Sequence, residues 1–299
     1  MQTGAVRFIV GRVVTALLLV FVVSSASFVL ARIAPGDHLS ALDLDPAWVA
    51  AERHRLGLDR PLTEQYIGWI GRGLRFDFGE SLRFRRPVAA LLRERTGNTA
   101  LLGVCALLLA TGVGLPLGVL SGSGRGVLRS IVSGTSLALL SIPPLITSLA
   151  LLLVAVRLRL DVPRIVLATL ALALPIAALL ERLQSRSLEE ALREPSIVAA
   201  IGRGIPPSRV VWRHGLRLSL KPVIAIYGVI VGGVLSGSFI VEIVMNWPGL
   251  GDLMYEALKS RDLYLVAGCA VVVSAFLAIG ILLADLALLA VDPRTEASA

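Results

Sequence analysis

Few side chains in this chain can make or break bonds, and their spacing assembles no reactive centre. His38, His54 and His214 stand singly, without a second ligand at helical spacing; that pattern holds no metal. Cys105 and Cys269 fall inside apolar runs and no C-x-x-C pair exists, so both read as small buried hydrophobes. No G-x-x-x-x-G-K-[ST] occurs, and the only lysines are Lys221 and Lys259, so the chain has no loop to cradle a nucleotide phosphate. Neither G-x-S-x-G nor H-E-x-x-H is present. The residues with physical work to do are of another kind. Glu242 and Asp285 are acids at or near the ends of apolar runs, and Glu181–Lys221 strings eight basic residues around a glycine-proline break.

The surroundings of those residues are set by composition. The chain has 299 residues, of which 56% are hydrophobic and 17% charged, against roughly 45–50% and about 25% in soluble domains. With a mean hydropathy of +0.80, this is an all-α integral membrane protein. The net charge is +8. Its basic residues are interrupted by apolar runs and form no patch with interleaved aromatics, which excludes nucleic acid as the partner. Positive loops beside membrane helices account for the excess.

A helix needs about 20 apolar residues to cross a bilayer. Six stretches approach this: Val13–Leu30, the run between Arg95 and Arg125, the run between Arg129 and Arg157, Ile165–Leu180, Pro222–Val241, and Leu263–Ala284 continuing to Val291. The chain thus divides into residues 1–34 with the first span, a polar helical segment 35–97, a core 98–292 with five spans, and a tail 293–299. The polar segment carries nine acidic and ten basic residues. Three short helices are expected in it: Pro46–Leu56; Leu62–Leu74, with Tyr66, Trp69, Ile70 and Leu74 on one side; and Pro87–Arg95, an interfacial helix leading into the second span. Arg7, Arg12, the Arg125/Arg129 loop and the Glu181–Lys221 loop share one side of the bilayer, and their positive charge makes that side cytoplasmic. Both termini are then cytoplasmic and segment 35–97 is external.

Glu181–Lys221 is too long for a simple connector. Glu194-Pro195 opens a helix, since a proline in the first turn forfeits no hydrogen bond. Ile197, Val198 and Ile201 supply its apolar face, and Ala199 and Ala200 give small surfaces for close approach. Gly202 and Gly204 end it, Pro206-Pro207 prevents continuation, and Ser208–Leu220 is helical again with Arg209, Arg213 and Arg217. Such a helix either lies on lipid headgroups or docks in a groove of a soluble partner, and the rigid glycine-proline elbow favours docking.

The run Ala199-Ala200-Ile201-Gly202-Arg203-Gly204 resembles the EAA loop of importer-type ABC permeases, with Val198 in place of the leading Glu. Nearly the whole chain is similar to the first-subunit (B-type) permeases of the dipeptide/oligopeptide/nickel family. The resemblance is carried by Arg32-Ile33-Ala34-Pro35-Gly36-Asp37, Leu56–Pro61 with Gln65-Tyr66 and Trp69, Asp77-Phe78-Gly79-Glu80-Ser81 and Arg86-Pro87-Val88. It continues in Arg213–Arg217, Trp247-Pro248-Gly249-Leu250-Gly251, Arg261-Asp262, Asp285 and Asp292-Pro293-Arg294. The order and spacing of these stretches are specific where each alone is weak.

The resemblance implies a type I ABC importer permease fold with six spans in a bacterial plasma membrane, with a second permease subunit as partner. It also implies two ATPase subunits that bind ATP and Mg, and an extracytoplasmic binding protein that delivers peptide or a related solute. This chain itself holds no cofactor. Glu194, Pro195, Ala199, Ala200, Gly204, Arg209 and Arg213 fall to the ATPase contact, and Ser141, Glu242 and Asn246 are candidates for the translocation path. Ser141-Ile142-Pro143-Pro144 is expected to kink the third span. Gly233, Ser236 and Gly237 form a small-residue face in the fifth. The chain departs from the family in the short Arg157–Pro163 connection and in Leu263-Tyr264 after Arg261-Asp262, where a proline often follows. A secondary transporter driven by an ion gradient is the alternative; it calls for paired intramembrane charges and an inverted repeat, and the sequence has neither.

Overall fold

A computed structural model describes residues 2–33, 45–55, 57, 59–124 and 126–291. The expected motif at Ala34–Asp37, Leu56, Leu58, Arg125 and the tail from Asp292 lie outside the described residues. Among the described residues the chain is helical, and the bridge between Glu80 and Pro87 is its one strand-like pairing. The helices are α1 (Gln2–Ile33), α2 (Pro46–Arg55), α3 (Leu62–Gly73), α4 (Val88–Ser123), α5 (Val127–Leu140), α6 (Pro144–Arg157) and α7 (Arg164–Ala191). They continue with α8 (Pro195–Gly202), α9 (Pro207–Arg209), a π-helical turn (Val210–Gly215), α10 (Leu216–Ala225), α11 (Tyr227–Met245), α12 (Leu250–Lys259) and α13 (Leu263–Val291).

Among the described residues, five helical stretches are long and apolar enough to cross a bilayer: Ile9–Ile33, Val88–Ser123, Arg164–Ala191, Tyr227–Met245 and Leu263–Leu289. The expected third span is two helices of 14 residues each, α5 and α6, bent by 104°. Each half is only about 21 Å long against a hydrocarbon core of about 30 Å. Taken as one broken span they complete the expected six. The break is sharper than the expected kink because two prolines stand in tandem. Pro144 pushes Pro143 out of the helical region, to φ −59° and ψ 149°. Ser141 ends α5 by giving both its N–H (3.2 Å) and its Oγ (2.9 Å) to the Leu137 carbonyl.

Three other expectations shift. The interfacial helix Pro87–Arg95 is no separate element but the first turns of the 36-residue α4, because nothing between Val88 and Ser123 breaks the ladder before Pro116. The fifth span begins at Tyr227, not Pro222. Pro222 lies inside α10, which runs on from the polar loop, and the proline withholds the N–H that the Leu218 carbonyl needs, so the helix gives way at Ile226. Leu74 is not on the buried side of α3; it lies just past the helix end and is 80% exposed.

The described residues form two compact units. One comprises Met1–Val14, Leu101–Trp247 and Ile279–Ala299; its apolar core is built on Leu102, Ala106, Leu172, Leu180, Ile230, Val234 and Val241. Within it α7 packs against α5, α6, α10 and α11. Helix α4 offers bare glycine backbone to α7. A Cβ at Gly114 would stand 2.5 Å from the Ala177 carbonyl oxygen, one at Gly118 2.7 Å from that of Glu181, and one at Gly122 2.6 Å from that of Ser185. This four-residue glycine repeat lets two backbones touch where lipid tails give no hydrophobic drive to association. Of the expected small-residue face on α11, only Gly237 is used this way, with Leu172 Cδ1 2.8 Å from its Cβ position; Gly233 faces open space.

The other unit comprises Thr15–Ala100 and Pro248–Ala278. Its core gathers Phe28, Trp69, Phe78, Val88, Leu91, Leu250, Leu253 and Leu265. Here α3 is fixed to α1 by Trp69 stacked on Phe28, ring centroids 4.9 Å apart, and by the Tyr66 hydroxyl donating to Ser25 Oγ at 2.7 Å.

The glycine repeat gives a direct test. Gly118→Ala should lower the stability of the purified protein by about 1–3 kcal/mol, the usual cost of overpacking. Gly112→Ala, on the same helix with nothing within 4 Å of its Cβ position, should stay within about 0.5 kcal/mol of the parent. Thermal unfolding midpoints in detergent would compare the two; equal losses would mean the α4–α7 contact is not as close as described.

Candidate functional site

The loop after α7 is built around α8. Glu194 is extended (φ −61°, ψ 138°), as a residue before proline must be. Its carbonyl accepts the N–H groups of Ile197 and Val198, both at 3.0 Å, and Pro195 takes the first helical position. The far end is closed by a Schellman arrangement: Gly204 N–H bonds the Ile201 carbonyl at 2.9 Å and Ile205 N–H the Ala200 carbonyl at 3.3 Å. Gly204 has φ +79°, which glycine alone adopts cheaply.

The helix has two distinct faces. Ile197 and Ala200, three residues apart, are buried, and α8 rests on the π-helical turn. Val198 and Ile201, also three apart, are 56% and 55% exposed, with Ala199 and Gly202 exposed beside them. Ala200 therefore mounts the helix on its own chain and does not lie on the free face; Ala199 does. Arg193, Arg203, Arg209, Arg213 and Arg217 are exposed around this surface, and Trp212 is half-exposed. The π-turn occupies the middle of the expected Ser208–Leu220 helix. Gly215 there comes so close to the end of α7 that a Cβ would lie 3.0 Å from Leu188 Cδ1.

A buried polar cluster above this loop was not singled out by sequence reasoning. Glu181, 1% exposed, accepts a 2.5 Å hydrogen bond from Ser121 Oγ on α4. Gln184, fully buried, donates to Ser219 Oγ on α10 at 2.7 Å. Glu181 Oε2 and Gln184 Oε1 have no hydrogen-bond partner among the described residues. The available signal was spacing. Glu181, Gln184, Ser185 and Leu188 continue the buried stripe of Ala177, Ala178 and Leu180 past the apparent end of the apolar run.

The path candidates are placed separately. Ser141 is exposed at the α5–α6 break. Glu242 is fully buried in the last turns of α11. Asn246 ends α11 in the left-handed conformation (φ 49°, ψ 46°), and Trp247 N–H reaches back to the Glu242 carbonyl at 2.8 Å; asparagine tolerates that conformation better than most residues. Asp285 pairs with Arg12 at 3.2 Å.

In the second unit, two segments that are far apart in sequence, 81–83 and 262–265, meet at one carboxylate. Asp262 is fully buried. It accepts Ser81 Oγ at 2.6 Å, Arg83 N–H at 3.1 Å and Leu265 N–H at 3.2 Å, the last as the N-cap of α13. Ser81 N–H bonds the Arg86 carbonyl, and Val88 N–H that of Gly79, each at 2.9 Å. Nearby, Arg83 pairs with Glu256 at 2.6 Å, Thr99 Oγ accepts Leu250 N–H at 2.7 Å, and Asn98 Nδ2 donates to the Pro248 carbonyl at 2.7 Å. Burial pushes the Asp252 carboxyl up, with Arg95 at 3.5 Å opposing it.

Residues 114–297 match the family described as binding-protein-dependent transport system inner membrane component, and residues 5–96 match the N-terminal family of the same transport system membrane components. The chain belongs to this family. It is 31% identical to a putative peptide permease protein of Brucella ovis, over 97% of this chain and 99% of that one. It is 30% identical to the oligopeptide transport system permease protein AppB of Bacillus subtilis, over 97% and 99%. It is 25% identical to the nickel import system permease protein NikB of a Staphylococcus aureus strain, over 97% and 92%. The resemblance to B-type dipeptide/oligopeptide/nickel permeases holds along the chain, and the protein is a multi-pass permease subunit of an ABC importer with the type I fold. That assignment sets aside the ion-gradient carrier.

The role of Asp262 is open to a direct test. Asp262→Ala leaves the Ser81 hydroxyl and two backbone N–H groups without their acceptor, and should cost about 2–4 kcal/mol, since several charge-assisted bonds are lost together. Asp262→Asn, which keeps one acceptor oxygen, should lose less. Limited proteolysis at the 77–88 segment would read the difference; an unchanged cleavage rate in the alanine variant would remove Asp262 from the role of clamp.

Proposed function

We propose that this permease forms half of a translocation path for peptides or a related small solute in a bacterial plasma membrane, with N- and C-termini in the cytoplasm. A second permease subunit forms the other half, an extracytoplasmic binding protein delivers the solute, and two ATPase subunits hold ATP and Mg. The loop 194–217 couples the ATPases to the bundle. Glu194, Pro195 and Gly204 fix the helix ends, Ala199 lies on the contact face, Ala200 seats the helix, and Arg209 and Arg213 border it. Ser141, Glu242 and Asn246 remain our candidates for the path.

The observation that carries this reading is the divided face of α8. Val198 and Ile201 present apolar surface in a loop that is otherwise rich in arginine, on a helix capped at both ends. The matching partner groove has an apolar floor and an acidic rim. When ATP draws the two ATPases together, α8 moves with its groove, and the rigid elbow at Gly204 passes that movement to α10. Such movement reorients the bundle only because α8 meets its partner differently in the inward and outward states.

Two measurements test the proposal. Purified alone, the chain should turn over no ATP, whereas the assembled complex should. Val198→Asp and Ile201→Asp put a charge on an exposed face, so membrane insertion and folding should be kept. In the complex the same charge would be buried unpaired, at about 2–5 kcal/mol, which weakens ATPase co-purification by about 30-fold or more and abolishes uptake. Ala200→Asp should instead damage the fold of the subunit itself. A helix lying on lipid predicts normal ATPase co-purification in Val198→Asp and Ile201→Asp, and that result would overturn the coupling role.

A further inference from the structure

The two most exposed large apolar side chains among the described residues are Leu74, at 80%, and Phe76, at 78%, with Ile67 at 69% close to them in sequence. None of the three belongs to a membrane-crossing helix, so a span's lipid contact does not explain them. We propose that α3 and its C-terminal turn form an interfacial foot, immersed in the bilayer leaflet at the C-terminal end of α1.

Three observations carry this. The first is the breadth of the apolar face of α3. Tyr66 and Trp69 pack on α1, Ile70 joins the same apolar core, and Ile67 and Leu74, seven residues apart, form an apolar strip beside them. Glu64, Gly68 and Arg72 occupy the other side. The apolar arc is thus wider than contact with the protein uses, as in helices that lie in a membrane surface.

The second is depth. The residues of α1 that hold α3 are Ser25 and Phe28, and both lie inside the apolar stretch Ile9–Ile33. Apolar residues of α1 are exposed before that contact (Phe21 52%, Val22 58%) and after it (Leu30 68%, Ile33 68%). Helix α3 is therefore fastened at a level of α1 where lipid, not water, surrounds the protein.

The third is the turn that follows. Phe76 is held at φ +58°, with its N–H bonded to the Gly73 carbonyl at 2.9 Å and Asp77 N–H to the Arg72 carbonyl at 3.0 Å. Glycine would adopt this conformation without strain, yet a phenyl ring stands here and points away from the protein. Arg75, exposed between Leu74 and Phe76, has the length to reach lipid phosphate while its stem stays in the apolar zone.

The test uses the assembled complex with Cys105 and Cys269 replaced, carrying a single nitroxide at Ile67→Cys, Leu74→Cys or Phe76→Cys. It is reconstituted in vesicles of phosphatidylcholine and phosphatidylglycerol. Because these side chains are exposed, the substitutions spare the packing, and the first two do not touch the left-handed position. Collision accessibility should favour oxygen, which dissolves in lipid, over an aqueous nickel chelate by several-fold at all three sites. Glu64→Cys should show the reverse, and adding the binding protein should change neither. Labels open to the nickel chelate at all three sites would overturn the proposal. So would labels that are open to it alone but shielded once the binding protein is added, which would make the patch a protein-docking surface. Labels closed to both reagents throughout would assign it to the second permease subunit and would equally overturn the lipid contact.

Discussion

At three successive turns, α4 presents bare glycine backbone to α7. Gly114, Gly118 and Gly122 face the carbonyl groups of Ala177, Glu181 and Ser185, and much of the first unit hangs on that meeting. Helix α7 is the element against which α5, α6, α10 and α11 pack, so its position fixes theirs. The close approach also brings Ser121 within hydrogen-bonding reach of Glu181 and sets the place from which the α8 loop departs. In a bilayer, packing of this kind substitutes for the hydrophobic drive that water would supply. The same contact thereby positions the segment that we propose for coupling.

A second constraint acts on the helix ends. Backbone groups at a helix end lose their helical partners and must find others. The chain meets this demand repeatedly with one device. Helices α3, α6, α8, α11 and α12 each end at a left-handed residue, respectively Phe76, Arg159, Gly204, Asn246 and Arg261, with the next N–H turned back to a carbonyl of the last turn. Only one of the five is glycine. Where α12 ends in this way, the following residue is Asp262, whose carboxylate opens α13 and anchors the 81–83 segment. Stop and start are thus adjacent residues.

Much of this was legible in the sequence. Apolar runs located the spans, and Pro195, Gly204 and Pro206-Pro207 bounded α8, because helix starts and stops depend on local backbone chemistry. What sequence missed depends on tertiary contact. Tandem prolines at 143 and 144 announce a disturbance but not an angle of 104°. Ala200 and Ala199 are chemically identical, and only the seating of α8 on the π-turn decides which is buried. Leu74 fits the apolar side of α3 by spacing, yet the helix stops at Gly73. The glycines of α4 are no louder in sequence than those of α11, and their partner backbone is some sixty residues away. Asp77–Ser81 and Arg261-Asp262 resembled a family without revealing why they belong together; the hydrogen bond from Ser81 to Asp262 supplies the reason, and that from Leu250 N–H to Thr99 gives Trp247–Gly251 its own anchor.

The divided surface of α8 has an evolutionary consequence. Ile197 and Ala200 are committed to the subunit's own packing, whereas Val198 and Ile201 are more than half exposed. Substitutions can accumulate at the second pair without unfolding the first. On the coupling role we propose for α8, recognition and architecture are inherited through different letters of the same eight-residue word. On that proposed role, a lineage could retune its choice of partner by drift at two positions, and duplicated transporters sharing one cell could become insulated from one another while their membrane-embedded parts remain interchangeable.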